Sequence, residues 1–213
     1  MKLLVFARPP AAGKVKTRLA REVGDDMAAC LYRALLDHTL REASASGLSV
    51  TLLLAEPPVP GQWHPPPHLA WELQAPGDLG AKLSAAFASA RASGWSRVMT
   101  IGSDAPGLRR HHLLWAAHAL ETAPAVIGPA ADGGFWLLGL SVPAGELLSD
   151  IPWSSPRTRS ALETRLRHGN LRYVLGPCLR DVDTFEDLAA AWEEGAFPET
   201  AAQVLGRTLG LRW

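Results

Sequence analysis

The sequence is poor in cysteine and has no excess of charge of either sign. Its 213 residues include only two cysteines, Cys30 and Cys178, and 21 basic residues balance 21 acidic ones. The cysteines form no C-x-x-C pair and have no histidine at a metal-binding spacing, so we expect two buried free thiols in a reducing cytoplasm, with one disulfide as the alternative. The balanced charge argues against nucleic acid or an anionic membrane as the main partner.

Long apolar runs are absent as well. No run approaches the roughly 20 residues that a membrane-spanning helix requires. The apolar start of the chain is broken at Arg8 and therefore lacks the pattern of a signal peptide. These absences predict a cytoplasmic protein, and the length predicts one compact domain over residues 1–213.

What the chain does contain is a regular alternation of strand-like and helix-like segments. Several of the predicted strands are apolar over most of their length and do not alternate with polar residues, which is typical of a sheet covered on both faces. Helices between such strands predict an α/β fold, a three-layer Rossmann-like domain with a mostly parallel sheet. The predicted strands are 2–7, 48–55, 69–73, 97–101, 125–128, 135–140 and 171–175, and the predicted helices are 25–44, 79–93, 108–121, 155–168 and 184–193.

A cation-rich loop follows the first predicted strand directly. The stretch FARPPAAGKVKTRLARE contains Arg8, Lys14, Lys16 and Arg18. A Walker-type loop would need glycine at position 8 and Ser or Thr after Lys14, but the chain has Arg8 and Val15 there. The loop is therefore not a P-loop. It predicts a site for a polyanion such as a phosphate chain, with a solvated cationic turn as the alternative.

Two further loops bring glycines and polar groups to the ends of predicted strands, where ligands bind in such sheets. In QAPGDLGAKL, Gly77 and Gly80 flank Asp78 before a helix, which permits close approach of a flat ligand. In VMTIGSDAPGL, a strand ends at Ser103 and Asp104. The alternative in both places is structural, since these side chains could simply cap the helices that follow.

A second source of carboxylates is the stretch LRDVDTFEDL, at a predicted strand-to-helix junction. Glu186 and Asp187 are explained as charges in the first turn of a helix. Asp183 precedes the Thr184 cap and is expected to point from a strand end. Asp104 and Asp183 would suffice for one Mg²⁺, or Mn²⁺, completed by phosphate oxygens and water. The sequence thus predicts a metal-dependent site for a nucleoside di- or triphosphate.

Taken in order, these motifs resemble those of a bacterial glycosyltransferase-like family related to 2-phospholactate guanylyltransferase and, more distantly, to molybdenum-cofactor guanylyltransferase. The resemblance runs from Met1 to Trp192 and implies the nucleotide-diphospho-sugar transferase fold, a glycosyltransferase A-type Rossmann-like domain. The motifs that carry it are GKVKTRLA, GDLGAKL, IGSDAPGL, GPAADGGFWLLGL, DIPWS and DVDTFEDL.

The resemblance also implies residue roles. Arg8, Lys14 and Ser103 join the predicted nucleotide-binding residues because of their own loops. The predicted catalytic residues are Lys16, Arg18 and Asp104, and Asp104 is also a predicted metal ligand. By itself, the Asp132-Gly133-Gly134 segment indicates only a tight turn. The resemblance assigns the phosphates to Lys16 and Arg18, the base pocket to Gly77, Asp78 and Gly80, the metal to Asp104 and Asp183, and the acceptor side to Asp132 and Gly133.

The resulting hypothesis is a magnesium-dependent transferase that uses an activated nucleotide. Its partners would be a nucleoside triphosphate or a nucleotide sugar and an acceptor of unknown identity, with a homodimer left open. Nucleotidyl and glycosyl transfer both fit the residues. The alternative from a different class is a catalytically inactive nucleotide-binding or scaffolding module.

Overall fold

The computed structural model describes residues 1–59 and 61–209, so Pro60 and residues 210–213 lie outside the described residues. It contains a seven-stranded sheet with helices on both faces. The strands are β1 (Lys2–Ala7), β2 (Ser49–Leu54), β3 (Ala70–Leu73), β4 (Val98–Ile101), β5 (Ala125–Pro129), β6 (Phe135–Leu140) and β7 (Tyr173–Leu175). The helices are α1 (Thr17–Val23), α2 (Asp25–Ala45), α3 (Leu79–Ala92), α4 (Arg110–Thr122), α5 (Thr158–His168), α6 (Phe185–Glu193) and α7 (Glu199–Leu209), with a 3₁₀ turn at Gly145–Leu148.

The sheet has the strand order β3-β2-β1-β4-β6-β5-β7. All neighbouring pairs are parallel except the two that β6 makes with β4 and β5. The exception follows from a tight connection, because β5 and β6 are joined by the turn at 130–134 and must run in opposite directions. The predicted α/β fold with a mostly parallel sheet is confirmed.

Alternating side chains of β1 show how the sheet is covered. Leu3 and Val5 face a core that includes α2 and α4, whereas Leu4 faces a second core that includes α3 and α5. A strand with apolar side chains on both faces is stable only between two layers of helix. A third apolar cluster joins α1, α2, α6 and α7, with Leu19 and Leu35 fully buried in it.

Several local features differ from the sequence-based expectation. Strand β3 lies at an edge and is exposed along its length, although it was expected to be covered on both faces. Helix α1 lies where a loop was predicted, because Gly24 separates its seven residues from α2. Cys30 and Cys178 are free, as predicted, but both are exposed and not buried. Among the described residues, no helix is long and apolar enough to cross a membrane.

The position of β1 determines where a ligand can bind. The chain leaves β1 toward β2 on one side and later returns to β4 on the other side. Connections that diverge from neighbouring parallel strands leave a crevice at the carboxyl ends of those strands. The loops after Ala7 and Ile101 border this crevice, and these loops carry the predicted cations and Asp104.

One close contact in the sheet allows the packing around this crevice to be tested. A Cβ atom at Gly128 in β5 would lie 2.3 Å from the Trp136 indole, whose Nε1 donates a hydrogen bond to Pro177 O at 3.0 Å. Because that bond restrains the indole, Gly128→Ala is expected to lower the free energy of unfolding by about 1–3 kcal/mol, measured by chemical denaturation.

The matched control is Gly107→Ala. A Cβ atom there would meet its nearest neighbour, Leu179, at 3.7 Å, an ordinary van der Waals distance. Its effect is expected to stay within about 0.5 kcal/mol. Equal losses in the two variants would show that the contact with Trp136 is not responsible.

Candidate active site

A cleft of about 750 Å³ lies at the carboxyl ends of β1 and β4. Its walls combine the basic opening loop, the start of α3 and the loop that follows β4. The structure therefore brings together residues from all four of the motif regions that the sequence singled out. The predicted site residues in its lining are Arg8, Lys14, Lys16, Arg18, Gly77, Asp78, Ser103, Asp104 and Asp183.

The centre of the site is an ion triad made by Lys16, Asp104 and Asp183. The Lys16 ammonium lies 2.9 Å from Asp104 Oδ1 and 2.7 Å from Asp183 Oδ1. The Lys16 side chain is only 6% exposed, whereas the two carboxylates are 39% and 49% exposed. The triad is thus a buried cation clamped between two carboxylates that face the cleft.

The backbone explains why these three side chains meet. Lys16 has a left-handed conformation, with φ 48°, immediately before α1. On the other side, Val182 N donates a hydrogen bond to Asp104 O at 3.0 Å, which holds the segment before α6 against the loop after β4. Asp183 was predicted to point from a strand end, but it reaches the site from an irregular segment, because β7 already ends at Leu175.

The start of α6 fixes the direction of Asp183. Thr184 caps this helix, and the Asp187 carboxylate accepts hydrogen bonds from the backbone N–H groups of Asp183 and Thr184 at 3.2 and 2.9 Å. The expectation that Asp187 is a first-turn charge is confirmed, as is that for Glu186. These bonds leave the Asp183 carboxylate free to face Lys16.

The charges of the triad stabilise one another. Burial by itself would lower the pKa of Lys16, but the attraction of Asp104 and Asp183 outweighs it and raises that pKa above its ordinary value. Burial would likewise raise the pKa of Asp183, and the Lys16 charge outweighs it, so this pKa is lowered. Lys16 and Asp183 therefore each hold the other in its charged form at neutral pH.

The carboxylate pair fits a hard divalent cation. Asp104 Oδ1 is buried and makes no hydrogen bond, because its contact with Lys16 is an ion pair without hydrogen-bond geometry. The two Oδ1 atoms converge on one cation position. No group of three or more His, Cys, Asp or Glu side chains that could hold a metal occurs among residues 1–59 and 61–209. A metal here would need phosphate oxygens or water to complete its coordination.

Tyr32 is a site residue that the sequence analysis missed. Its hydroxyl accepts a hydrogen bond from Arg8 N at 2.9 Å and lies 3.1 Å from Ser103 Oγ, and so connects the loops after β1 and β4. Burial raises its pKa to about 12, with a further contribution from Asp104, so it remains a neutral phenol. Its only signal in the sequence is its place on the apolar face of α2, beside Leu31 and Leu35.

The start of α3 combines a structural and a binding role. Asp78 caps the helix and accepts a hydrogen bond from Ala81 N at 2.9 Å, which confirms the helix-cap alternative for this residue. Gly77 lines the cleft with φ 109°, a conformation that favours glycine. Gly80 is buried behind the cleft, where a Cβ atom would lie 2.2 Å from Trp153 Nε1. Gly80 therefore allows Trp153 to pack on α3, and it is not among the described residues that line the cleft.

Asp132 and Gly133 lie in the turn between β5 and β6, outside the lining of the main cleft as far as the structure describes it. The Asp132 carboxylate accepts a hydrogen bond from Gly134 N at 2.8 Å. A Cβ atom at Gly133 would lie 2.2 Å from Pro156 O, so glycine is required for the turn to approach the segment before α5. The expectation that this segment forms a tight turn is confirmed.

Asp181 is the other residue whose importance the sequence did not reveal. It lines a second cavity of about 120 Å³, which shares Asp104, Phe135 and Trp136 with the cleft. Burial raises the pKa of Asp181 to about 8, and the negative charges of Asp104, Asp132 and Asp183 add to the increase. The site therefore has an acidic side next to the triad and a basic side along the opening loop.

The seven-stranded sheet and the similarity to solved structures show that the chain is an α/β protein with the nucleotide-diphospho-sugar transferase fold. The chain belongs to the family described as uncharacterized protein conserved in bacteria (DUF2064), whose profile matches residues 39–155. The predicted membership of a glycosyltransferase-like family is confirmed, and the link to 2-phospholactate guanylyltransferase stays a prediction. No curated protein sequence matches the chain.

Three solved structures illustrate the likeness. A protein from Desulfovibrio desulfuricans G20, provisionally named a nucleotide-diphospho-sugar transferase, is 28% identical, with a TM-score of 0.87 over 98% of this chain and 95% of its own. Rv0371C from Mycobacterium tuberculosis H37Rv, in complex with manganese, is 16% identical, with a TM-score of 0.55 over 90% and 98%. The 4-diphosphocytidyl-2C-methyl-D-erythritol synthase of Anaerococcus prevotii DSM 20548 is 10% identical, with a TM-score of 0.55 over 91% and 96%.

The environment of Asp181 predicts a pH-dependent stability in metal-free buffer. The folded chain keeps the Asp181 proton up to about pH 8, whereas the unfolded chain releases it near the usual value of 3.8. The folded state thus binds more protons between these values, and wild-type stability falls as the pH rises. Asp181→Asn has no proton to lose at this position. Its free energy of unfolding relative to wild type, from thermal denaturation, is therefore expected to rise from pH 5 to pH 8, by up to about 1.4 kcal/mol per pH unit.

The control for this measurement is Asp26→Asn, which changes an exposed aspartate in the first turn of α2. The difference in free energy of unfolding between this control and wild type is expected to stay constant from pH 5 to pH 8. An Asp181→Asn advantage that is absent at pH 8 would show that the carboxylate is not destabilised by its surroundings.

Proposed function

We propose that this protein is a divalent-metal-dependent transferase that acts on an activated nucleotide in the cleft at β1 and β4. The observation that carries the proposal is the convergence of Asp104 and Asp183 on one cation position, beside a loop rich in lysine and arginine. Carboxylates from separate loops with a shared cation position are the arrangement that a metal bridging phosphates needs. The cation would be Mg²⁺ or Mn²⁺.

The basic side of the cleft would bind the phosphates. Lys14 and Arg18 flank Lys16 in the lining, Arg8 adds positive charge from the start of the same loop, and Lys82 adds it from α3. Arg18 is exposed on the first turn of α1, where its guanidinium can make paired bonds to phosphate oxygens. These groups would neutralise the charge that grows on the leaving phosphates without forming a covalent bond to the protein.

The start of α3 would bind the nucleoside. Free backbone N–H groups at a helix N-terminus attract polar ligand atoms, and Gly77 permits their close approach. Gln74 already bridges the adjacent strands, since its Nε2 donates to Ala7 O at 3.1 Å and to Leu53 O at 2.9 Å. This end of the cleft is therefore shaped by backbone and fixed side chains, which suits a flat base.

In the nucleotidyl version, an anionic oxygen of an acceptor phosphate attacks the α-phosphorus of a nucleoside triphosphate. The new oxygen–phosphorus bond forms as the bond to the β-phosphate breaks, and pyrophosphate leaves. Asp104 and Asp183 would hold the metal, which would supply Lewis-acid stabilisation of the charge on the phosphates. The number of cations in the cleft supports this version, because a triphosphate brings more negative charge than a sugar diphosphate.

The glycosyl version is supported by a different observation. The negative charges of Asp104, Asp132 and Asp183 act on Asp181 next to the triad, and such a field disfavours an anionic acceptor and suits a hydroxyl group. Here the acceptor hydroxyl would attack the anomeric carbon of a nucleotide sugar, a nucleoside diphosphate would leave, and the hydroxyl proton would pass to a base. A catalytically inactive nucleotide-binding module would keep the same cleft but show no turnover.

The metal assignment is tested by thermal shift with nucleoside triphosphates and nucleotide sugars, with Mg²⁺ or with EDTA. A ligand at about 100 times its Kd adds about 2.7 kcal/mol to the stability of the folded chain, which is roughly 5–10 °C for this length. We expect this shift in wild type only with metal, and its loss in Asp104→Asn and in Asp183→Asn.

The exposed Asp26→Asn serves again as the control that keeps the shift. Because each cleft variant leaves Lys16 with one partner fewer, its melting point without ligand is recorded first. A nucleotide shift of equal size with Mg²⁺ and with EDTA would contradict the metal assignment.

Turnover separates the two versions and the inactive module. Pyrophosphate release from a nucleoside triphosphate is expected for nucleotidyl transfer, and nucleoside diphosphate release from a nucleotide sugar is expected for glycosyl transfer. Both assays are run with an acceptor panel of sugars, polyols and phosphate esters. Tight metal-dependent binding without release of either product across the panel would favour the binding module.

A further inference from the structure

The Lys16 ammonium stands at the position that a divalent metal would take. It lies within 2.9 Å of one oxygen of Asp104 and one oxygen of Asp183. Asp104 and Asp183 would hold a divalent metal through carboxylate oxygens that the ammonium now contacts. The ammonium and the metal therefore compete for the same carboxylates and exclude each other.

The chain holds this ammonium in place with several features. The left-handed backbone of Lys16 turns its side chain inward, and the ammonium is 5.9 Å from the centre of the Tyr32 ring. Non-glycine residues adopt this backbone conformation rarely and at a cost. By contrast Lys14, two positions earlier, extends to Glu56 at 3.3 Å and is 56% exposed. The buried pose is therefore particular to Lys16.

We propose that Lys16 is a built-in counter-cation that keeps free divalent metal out of the Asp104–Asp183 pair. A polyphosphate in the cleft offers the ammonium a new partner, and the vacated carboxylates then accept the metal that arrives with it. The site thus takes metal as a metal–polyphosphate complex and binds the free ion weakly. This inference rests on the proposed function, because it concerns the same metal and the same phosphates.

The exchange leaves each charge with a partner. In the triad, one ammonium faces two carboxylates; with ligand, the metal faces the carboxylates and the ammonium faces phosphate. Arg18 also acts on Asp183 electrostatically, but the structure describes no ion pair between them. Lys16 is therefore the cation whose departure would open the pair.

The test is the affinity for Mn²⁺ alone, measured by electron paramagnetic resonance of the free ion without nucleotide. We expect Lys16→Met to bind Mn²⁺ at least about tenfold more tightly than wild type, since the carboxylates lose their competing cation. Lys14→Met removes the same charge from the same loop and is expected to stay within about twofold of wild type. The double variant Lys16→Met with Asp183→Asn is expected to lose the gain.

Lys16→Gln repeats the measurement with a polar side chain, and the melting point of each variant with and without Mn²⁺ reports folding and binding together. The inference would be overturned if Mn²⁺ stabilised the Lys16→Met protein no more than it stabilises wild type. The same holds for an equal gain in Lys14→Met, which would indicate a general charge effect.

The two proposals can fail separately. If wild type shows the metal-dependent nucleotide shift but Lys16→Met gains no Mn²⁺ affinity, the counter-cation role is wrong and the transferase proposal stands. If Lys16→Met gains affinity but no nucleotide stabilises wild type with metal, the counter-cation competes for a metal that serves another purpose, and the proposed function is wrong.

Discussion

The ion triad is the interaction on which the arrangement of the site depends. It joins the opening loop to a residue 167 positions later in the chain and to the loop after β4. A buried ammonium is tolerated only with close anionic partners, and loss of one partner leaves an uncompensated charge. The hydrogen bond from Val182 to Asp104 O holds the two carboxylate-bearing segments together through their backbones. The site is therefore assembled by charge and by backbone bonding at the same place.

The sheet decides where this assembly can form. Because β1 lies between β2 and β4, the loops after β1 and β4 diverge and leave room for a ligand. The alternative that Asp104 and Ser103 only cap the next helix is wrong. Helix α4 begins at Arg110 with Arg109 at its cap, so neither residue caps it. Asp78 shows the opposite outcome, since it lines the cleft and also caps α3.

Much of the fold could be predicted from the sequence because apolar strands between helices leave few alternatives. Strands β1 and β6 match their predicted bounds to the residue, 2–7 and 135–140. Helix α1 was missed because seven residues that end at a glycine give little periodic signal. The candidate site could be predicted as a set of residue types at strand ends. The pairing of Lys16 with both aspartates could not, because it depends on a left-handed residue and on a segment without regular structure. The contact of Gly80 with Trp153 could not be predicted either, because it depends on packing between residues far apart in the sequence.

The distribution of charge around the triad bears on which reaction the cleft can serve. A phosphate chain along the opening loop would meet Lys14 and Arg18 and would draw Lys16 away from its carboxylates. The pair would then be left with two negative charges beside Asp181 and Asp132, which already disfavour charge on one another. Such a cluster is stable only with a multivalent cation or with bound protons. If Lys16 acts as the proposed counter-cation, phosphate binding and metal binding are coupled through it, because the ammonium must leave the two carboxylates before a metal can take its place.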